Sequence, residues 1–109
     1  MGNTRQKRRI KMVHVFARME INPGCMEKFM EVLKNNIPTV LAEDGCYRYE
    51  SCLDTKEEDK DRFVTILETW ESEEHLKAHL ATPHMAKFRD AVKDLRYSSN
   101  VTVVAPVSK

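Results

Sequence analysis

Three of the chain's four histidines, His75, His79 and His84, fall within the ten residues HLKAHLATPH. An imidazole titrates near neutral pH, so such a cluster can exchange protons or bind a transition metal. His75 and His79 are one helical turn apart and would share one side of a helix. With Glu68 or His84 as a third ligand, that spacing suits a metal site. The protease form of the motif needs Glu at position 76, where this chain has Leu76. The second chemistry is general acid–base work, in which one histidine takes a proton from an acidic hydroxyl or carbon. The third reading is structural, a polar helix edge with hydrogen bonds only. These residue types and spacings leave all three readings open.

The elements that must position these side chains follow from periodicity. KMVHVFARMEI alternates Val13, Val15, Ala17 and Met19 against His14, Phe16 and Arg18, the period of a strand. NPGC turns the chain, and Met26, Phe29, Met30, Leu33, Ile37, Val40 and Leu41 then mark one stripe of a helix. Pro38 is expected to kink or divide that helix, and Gly45 to stop it. CYRYESCL reads as a second strand with Tyr47, Tyr49, Ser51 and Leu53 on one face, followed by the charged connector 54–61. RFVTILETW is a third strand. Its two faces, Phe63, Thr65, Leu67, Thr69 and Val64, Ile66, Glu68, Trp70, are both largely apolar, so both require cover. One layer of helices covers one face, and a second subunit is the economical cover for the other.

Ser72 is placed to cap the next helix, with Glu73 and Glu74 at its positive end. ATPH interrupts it, with Thr82 as a new cap and Pro83 in the first turn. Met85, Phe88, Val92 and Leu95 continue the buried stripe, and NVTVVAPV is a final strand. The order β-α-β-β-α-β predicts an α+β, ferredoxin-like split βαβ fold: a four-stranded antiparallel sheet with helices on one face. Leu76 and Leu80 are expected to face the sheet with His79 between them. Glu68 and Trp70 end on the helix side, and His84 follows the proline break. A pocket bounded by Trp70, Glu68, His79 and His84 is therefore expected.

Composition limits the function classes. The 109 residues suit one domain, 12–109, preceded by a basic arm, 1–11, with Arg5, Lys7, Arg8, Arg9 and Lys11, expected to be disordered. The net charge is +1, but outside the arm 13 basic residues face 17 acidic ones, leaving no broad basic field for nucleic acid. No apolar run reaches the roughly 20 residues of a membrane span, and no secretory signal is read, so a cytoplasmic protein is expected. Three cysteines, Cys25, Cys46 and Cys52, fit reduced thiols. Cys46 and Cys52, if in one strand, stand roughly 20 Å apart and cannot pair.

The stretch TILETWESEEHLKAHLATPHMAKF resembles the antibiotic biosynthesis monooxygenase domain family, as do NPGCMEKF and VLAEDGCYRYE. The resemblance runs from about Val13 to Val104. It implies a homodimeric α+β barrel with an apolar pocket between sheet and helices. It implies oxidation of a small quinol or phenolic substrate by O₂ without metal or other cofactor. His79 then becomes the candidate base and Trp70 a ring-facing catalytic wall, with His84, Glu68, His75 and Tyr49 as substrate contacts. Relatives that isomerise a phosphorylated hydroxyketone also carry TPH, and Arg18 or Arg48 could contact such an anion. Haem-degrading relatives are a poorer match, because their catalytic Trp position reads His79. A dimeric small-molecule binder without catalysis is the third alternative.

Overall fold

A computed structural model describes residues 11–107, so most of the basic arm lies outside the described residues. Strand β1 spans Val13–Ile21, helix α1 Met26–Leu41, strand β2 Cys46–Leu53, strand β3 Phe63–Trp70, helix α2 Glu73–Leu80, helix α3 Pro83–Val92 and strand β4 Arg96–Val104. A short 3₁₀ turn, Glu57–Asp59, lies in the β2–β3 connector. The sheet order is β2-β3-β1-β4, with every neighbour antiparallel. This is the expected ferredoxin-like sheet, with the second helical segment divided in two. The division has the expected cause. Ser72 Oγ accepts from His75 N at 3.2 Å and caps α2, while Thr82 Oγ1 accepts from Met85 N at 3.3 Å and caps α3 behind Pro83.

The helices cover one sheet face. Phe29, Leu33 and Val40 of α1 are fully buried against Val13, Val15, Met19, Val64, Ile66 and Trp70. Phe29 meets Phe88 of α3 edge to face, with ring centres 6.3 Å apart. The opposite face carries Phe16, Phe63 and Leu67, and Phe16 stays 46% exposed. On that face Phe63 lies beneath the guanidinium groups of Arg18 and Arg62, at 4.1 and 4.8 Å.

Three local expectations are corrected. Helix α1 runs through Pro38 without dividing and ends at Leu41; Gly45, at φ +80°, turns the chain four residues later. Strand β2 shifts register between Cys46 and Arg48, so Tyr47 leaves the face of Tyr49. It becomes 58% exposed and donates to Glu71 Oε1 at 3.0 Å. In α2 the buried pair is Leu76 and His79, whereas Leu80 is 48% exposed. A residue three positions on, rather than four, completes the buried side.

Candidate active site

A cavity of about 180 Å³ lies between the sheet and helices α2 and α3. Its apolar walls include Val15, Ala17, Ile66, Leu76, Met85 and Phe88. Tyr49, Glu68 and His79 contribute its inner polar groups. These three converge because Tyr49 is directly opposite Glu68 in the β2–β3 ladder, and α2 lays His79 across them. The rings of Tyr49 and His79 are 5.7 Å apart, edge to face.

His79 is 1% exposed, yet it is fully partnered on one side. Its Nδ1 lies 3.1 and 3.0 Å from the two carboxylate oxygens of Glu43. An ionised carboxylate only accepts, so Nδ1 holds the proton and the lone pair of the neutral ring is on Nε2. Nε2 has no hydrogen-bond partner among the described residues, and the ring forms part of the cavity wall. Burial pulls the His79 pKa below its ordinary value. Glu43 pushes the other way, and the charges of His84 and Arg89 add to the lowering. The ring is thus neutral at pH 7, the state a base requires.

Glu68 is 6% exposed, and burial pushes its carboxyl up to about 7. Trp70 Nε1–H donates to Glu68 Oε1 at 2.9 Å and holds the pKa down against that rise, while the charge of Glu43 adds to it. The group is therefore shared between acid and anion near neutrality. Burial, with Glu68 and Glu43 nearby, also raises the Tyr49 phenol well above its ordinary value, so Tyr49 remains a hydroxyl.

The other expected site residues lie around this group. Trp70 is fully buried and does not line the cavity; its ring packs behind His79 with centres 4.5 Å apart. It orients Glu68 and backs the imidazole. His84 is outside the cavity, on the far side of Glu43, where its Nε2 hydrogen-bonds Glu43 Oε2. It lines a separate surface groove between α1 and α3 with Val32, Asn35 and Asn36. His75 is held at the α2 start by Ser72 Oγ, 2.7 Å from its Nδ1, with Asp44 3.4 Å from its Nε2. It packs on Gly45, where a Cβ would run into its ring. Arg18 is paired with Asp54 at 2.8 Å and Arg48 with Glu50 at 2.7 Å, and neither lines the cavity.

Glu43 is the group that the sequence reading missed. It is 36 residues from His79 and hidden in the acidic loop AEDGC. A signal existed in the topology. Cys46 pairs with Trp70, and Glu71 N donates to Gly45 O at 2.8 Å, so the loop before β2 must lie beside the start of α2.

Glu43, His79 and His84 each offer one donor atom, all within 4.8 Å of one another. A tetrahedral ion with bonds of about 2.0–2.1 Å would set such atoms roughly 3.4 Å apart. Both histidine–carboxylate contacts are closer than that, at hydrogen-bond distance, and a shared ion would require these side chains to draw apart. Cys25, Cys46 and Cys52 are free, and burial pushes the Cys46 thiol up to about 11, away from nucleophilic use.

These observations define a ferredoxin-like α+β domain with an apolar cavity at the sheet–helix boundary, a carboxylate-backed histidine and a Trp-oriented Glu. Comparison makes the assignment specific. Residues 12–91 match the family model "Antibiotic biosynthesis monooxygenase", and the chain belongs to that family. It is 31% identical to "Probable quinol monooxygenase YgiN" of Escherichia coli K12 over 106 residues, covering 87% of this chain and 98% of that one. Rv0793 of Mycobacterium tuberculosis superposes with a TM-score of 0.79 at 27% identity, covering 90% of this chain and 97% of that one. PA3566 of Pseudomonas aeruginosa superposes with a TM-score of 0.80 at 19% identity, covering 90% and 96%. The last likeness concerns the fold alone.

Proposed function

We propose that this protein oxidises a small quinol or related hydroxyaromatic with O₂, using no bound cofactor, and works as a homodimer in the cytoplasm. The observation that carries the reading is the His79–Glu43 pair, which presents an unprotonated Nε2 to an apolar cavity. A quinol hydroxyl gives its proton to His79 Nε2, and Glu43 stabilises the imidazolium. The resulting anion is the electron donor. For the parent hydroquinone the balance is C₆H₆O₂ + O₂ → C₆H₄O₃ + H₂O, with one oxygen atom entering the ring and the other leaving as water. Glu68, in its acid form, donates a hydrogen bond to the second ring oxygen. The apolar walls exclude water from the charged intermediate.

The similarity to a protein named as a quinol monooxygenase supports the same reading. The homodimer is supported by Phe16, Phe63 and Leu67 on the sheet face opposite the helices. A monomeric mass by light scattering at micromolar concentration would remove it.

The test is oxygen uptake by chelator-treated protein given a reduced naphthoquinol, corrected for autoxidation. Uptake that depends on the protein, and ¹⁸O from ¹⁸O₂ in the product, are expected. His79→Ala is expected to reduce turnover at least about tenfold. Unchanged turnover takes His79 out of the mechanism, and absence of uptake overturns the oxidation.

The isomerase alternative draws support from Arg89 and Arg96 at the cavity wall. Turnover of a phosphorylated hydroxyketone without oxygen, inhibited by phosphate, distinguishes it. A thermal shift with the quinol analogue and no product would mark a binder.

A further inference from the structure

The cavity has two chemically different ends. Tyr49, Glu68 and His79 form the inner one, under α2. The outer one is lined by Arg89 of α3 and by Arg96 and Ser99 of β4. Neither arginine has an acidic partner among the described residues. Arg89 uses Nη2 to donate to Leu80 O at 3.2 Å. Arg96 is half-buried and points Nη1 at the Met19 thioether, 3.6 Å away. A thioether is a weak acceptor, so most of the guanidinium's donors remain unused. Arg89 is exposed and Arg96 half-buried, so both guanidinium groups are open to a ligand that enters the cavity.

Arg89 acts on His79 from its outer side, whereas neither arginine contributes to the charge balance of Glu68. The cations are therefore not there to neutralise the inner carboxylate. They are free to meet a charge that arrives with a ligand. Arginine forks match the two oxygens of a carboxylate or phosphate.

We propose that Arg89, Arg96 and Ser99 form an anion subsite, and that the natural substrate is an aryl hydroxyl compound carrying a carboxylate. The hydroxyl addresses His79 and Glu68, the ring lies against Val15, Ile66 and Phe88, and the carboxylate reaches the two arginines. This names the substrate class for the quinol reading and rests on it for the hydroxyl end.

The test is binding, measured by calorimetry on the full chain with two ligands that O₂ does not attack readily, 2-naphthol and 6-hydroxy-2-naphthoate, whose hydroxyl and carboxylate stand at opposite ends of the ring system. The carboxylate is expected to bind at least about tenfold tighter. Arg96→Gln and Arg89→Gln are each expected to reduce that preference to threefold or less, with 2-naphthol affinity unchanged and melting temperature retained. Raising salt should weaken only the carboxylate. Equal affinity for the two ligands, binding of neither, or a preference that survives both substitutions overturns the subsite. Inorganic phosphate competing more strongly than the naphthoate would replace the aryl carboxylate by a phosphorylated substrate. Oxygen uptake is a separate measurement. A carboxylate preference without uptake keeps the subsite and sinks the oxidation, and uptake without preference does the reverse.

Discussion

The sharpest physical consequence of the site concerns Glu68. Its ordinary pKa of 4.5 is pushed up to about 7 in the fold. Below pH 4.5 the carboxyl is protonated in both folded and unfolded chains and contributes no pH dependence. Between the two values the unfolded chain releases the proton while the folded one keeps it, so stability falls as pH rises. Above about 7 the loss is complete. At about 1.36 kcal/mol per pH unit, the loss amounts to about 3 kcal/mol. Glu68→Gln keeps an acceptor for Trp70 Nε1–H and removes the ionisation. The variant should match the parent near pH 4 and exceed it at pH 8. For a domain of this size about 1 kcal/mol moves the melting temperature by about 4–8 °C, so a gain of roughly 10 °C or more is expected at pH 8. Thermal melts of both proteins at half-unit steps from pH 4 to 8.5 decide it. Parallel curves would refute the claim that burial governs this carboxyl.

Other outcomes follow from single contacts. Gly45→Ala should cost about 1–3 kcal/mol in urea unfolding, because a Cβ at φ +80° also runs into His75. Gly24→Ala, at φ +81° with open space around the new Cβ, should cost less. Trp70→Phe removes the donor on Glu68 Oε1, so the upper end of the pH range over which stability falls should move above 7. In oxygen-uptake assays, prolonged chelator treatment should leave the rate unchanged, since Glu43, His79 and His84 are held by hydrogen bonds; a loss restored by a divalent cation would reverse that view.

Much of the fold is legible because its periods are clean. The parity of Val13, Val15 and Met19, the stripe of Phe29, Leu33 and Val40, and the caps at Ser72 and Thr82 depend on local chemistry, which neighbouring residues specify. The bulge that turns Tyr47 outward does not: it answers to pairing with Trp70, 24 residues away in the partner strand. The site divides the same way. His79, Glu68 and Tyr49 could be named from residue type and face. Glu43 could not, since one acid in an acidic loop looks like another until the sheet brings that loop beside α2. His84 was legible as a polar group near the site, but which side of Glu43 it would occupy depends on the angle between α2 and α3, and no spacing encodes that.

The edge strand β4 carries a further consequence. It is exposed along nearly its whole length, yet Ser99, Val101 and Val103 line the cavity. The proton-handling groups, by contrast, sit on β3, α2 and the loop before β2, inside the packed core. On the proposed reading, selectivity and reactivity lie on different parts of the chain. Exposed substitutions along β4 would then alter the arginine end of the cavity and leave Glu43, Glu68 and His79 in place.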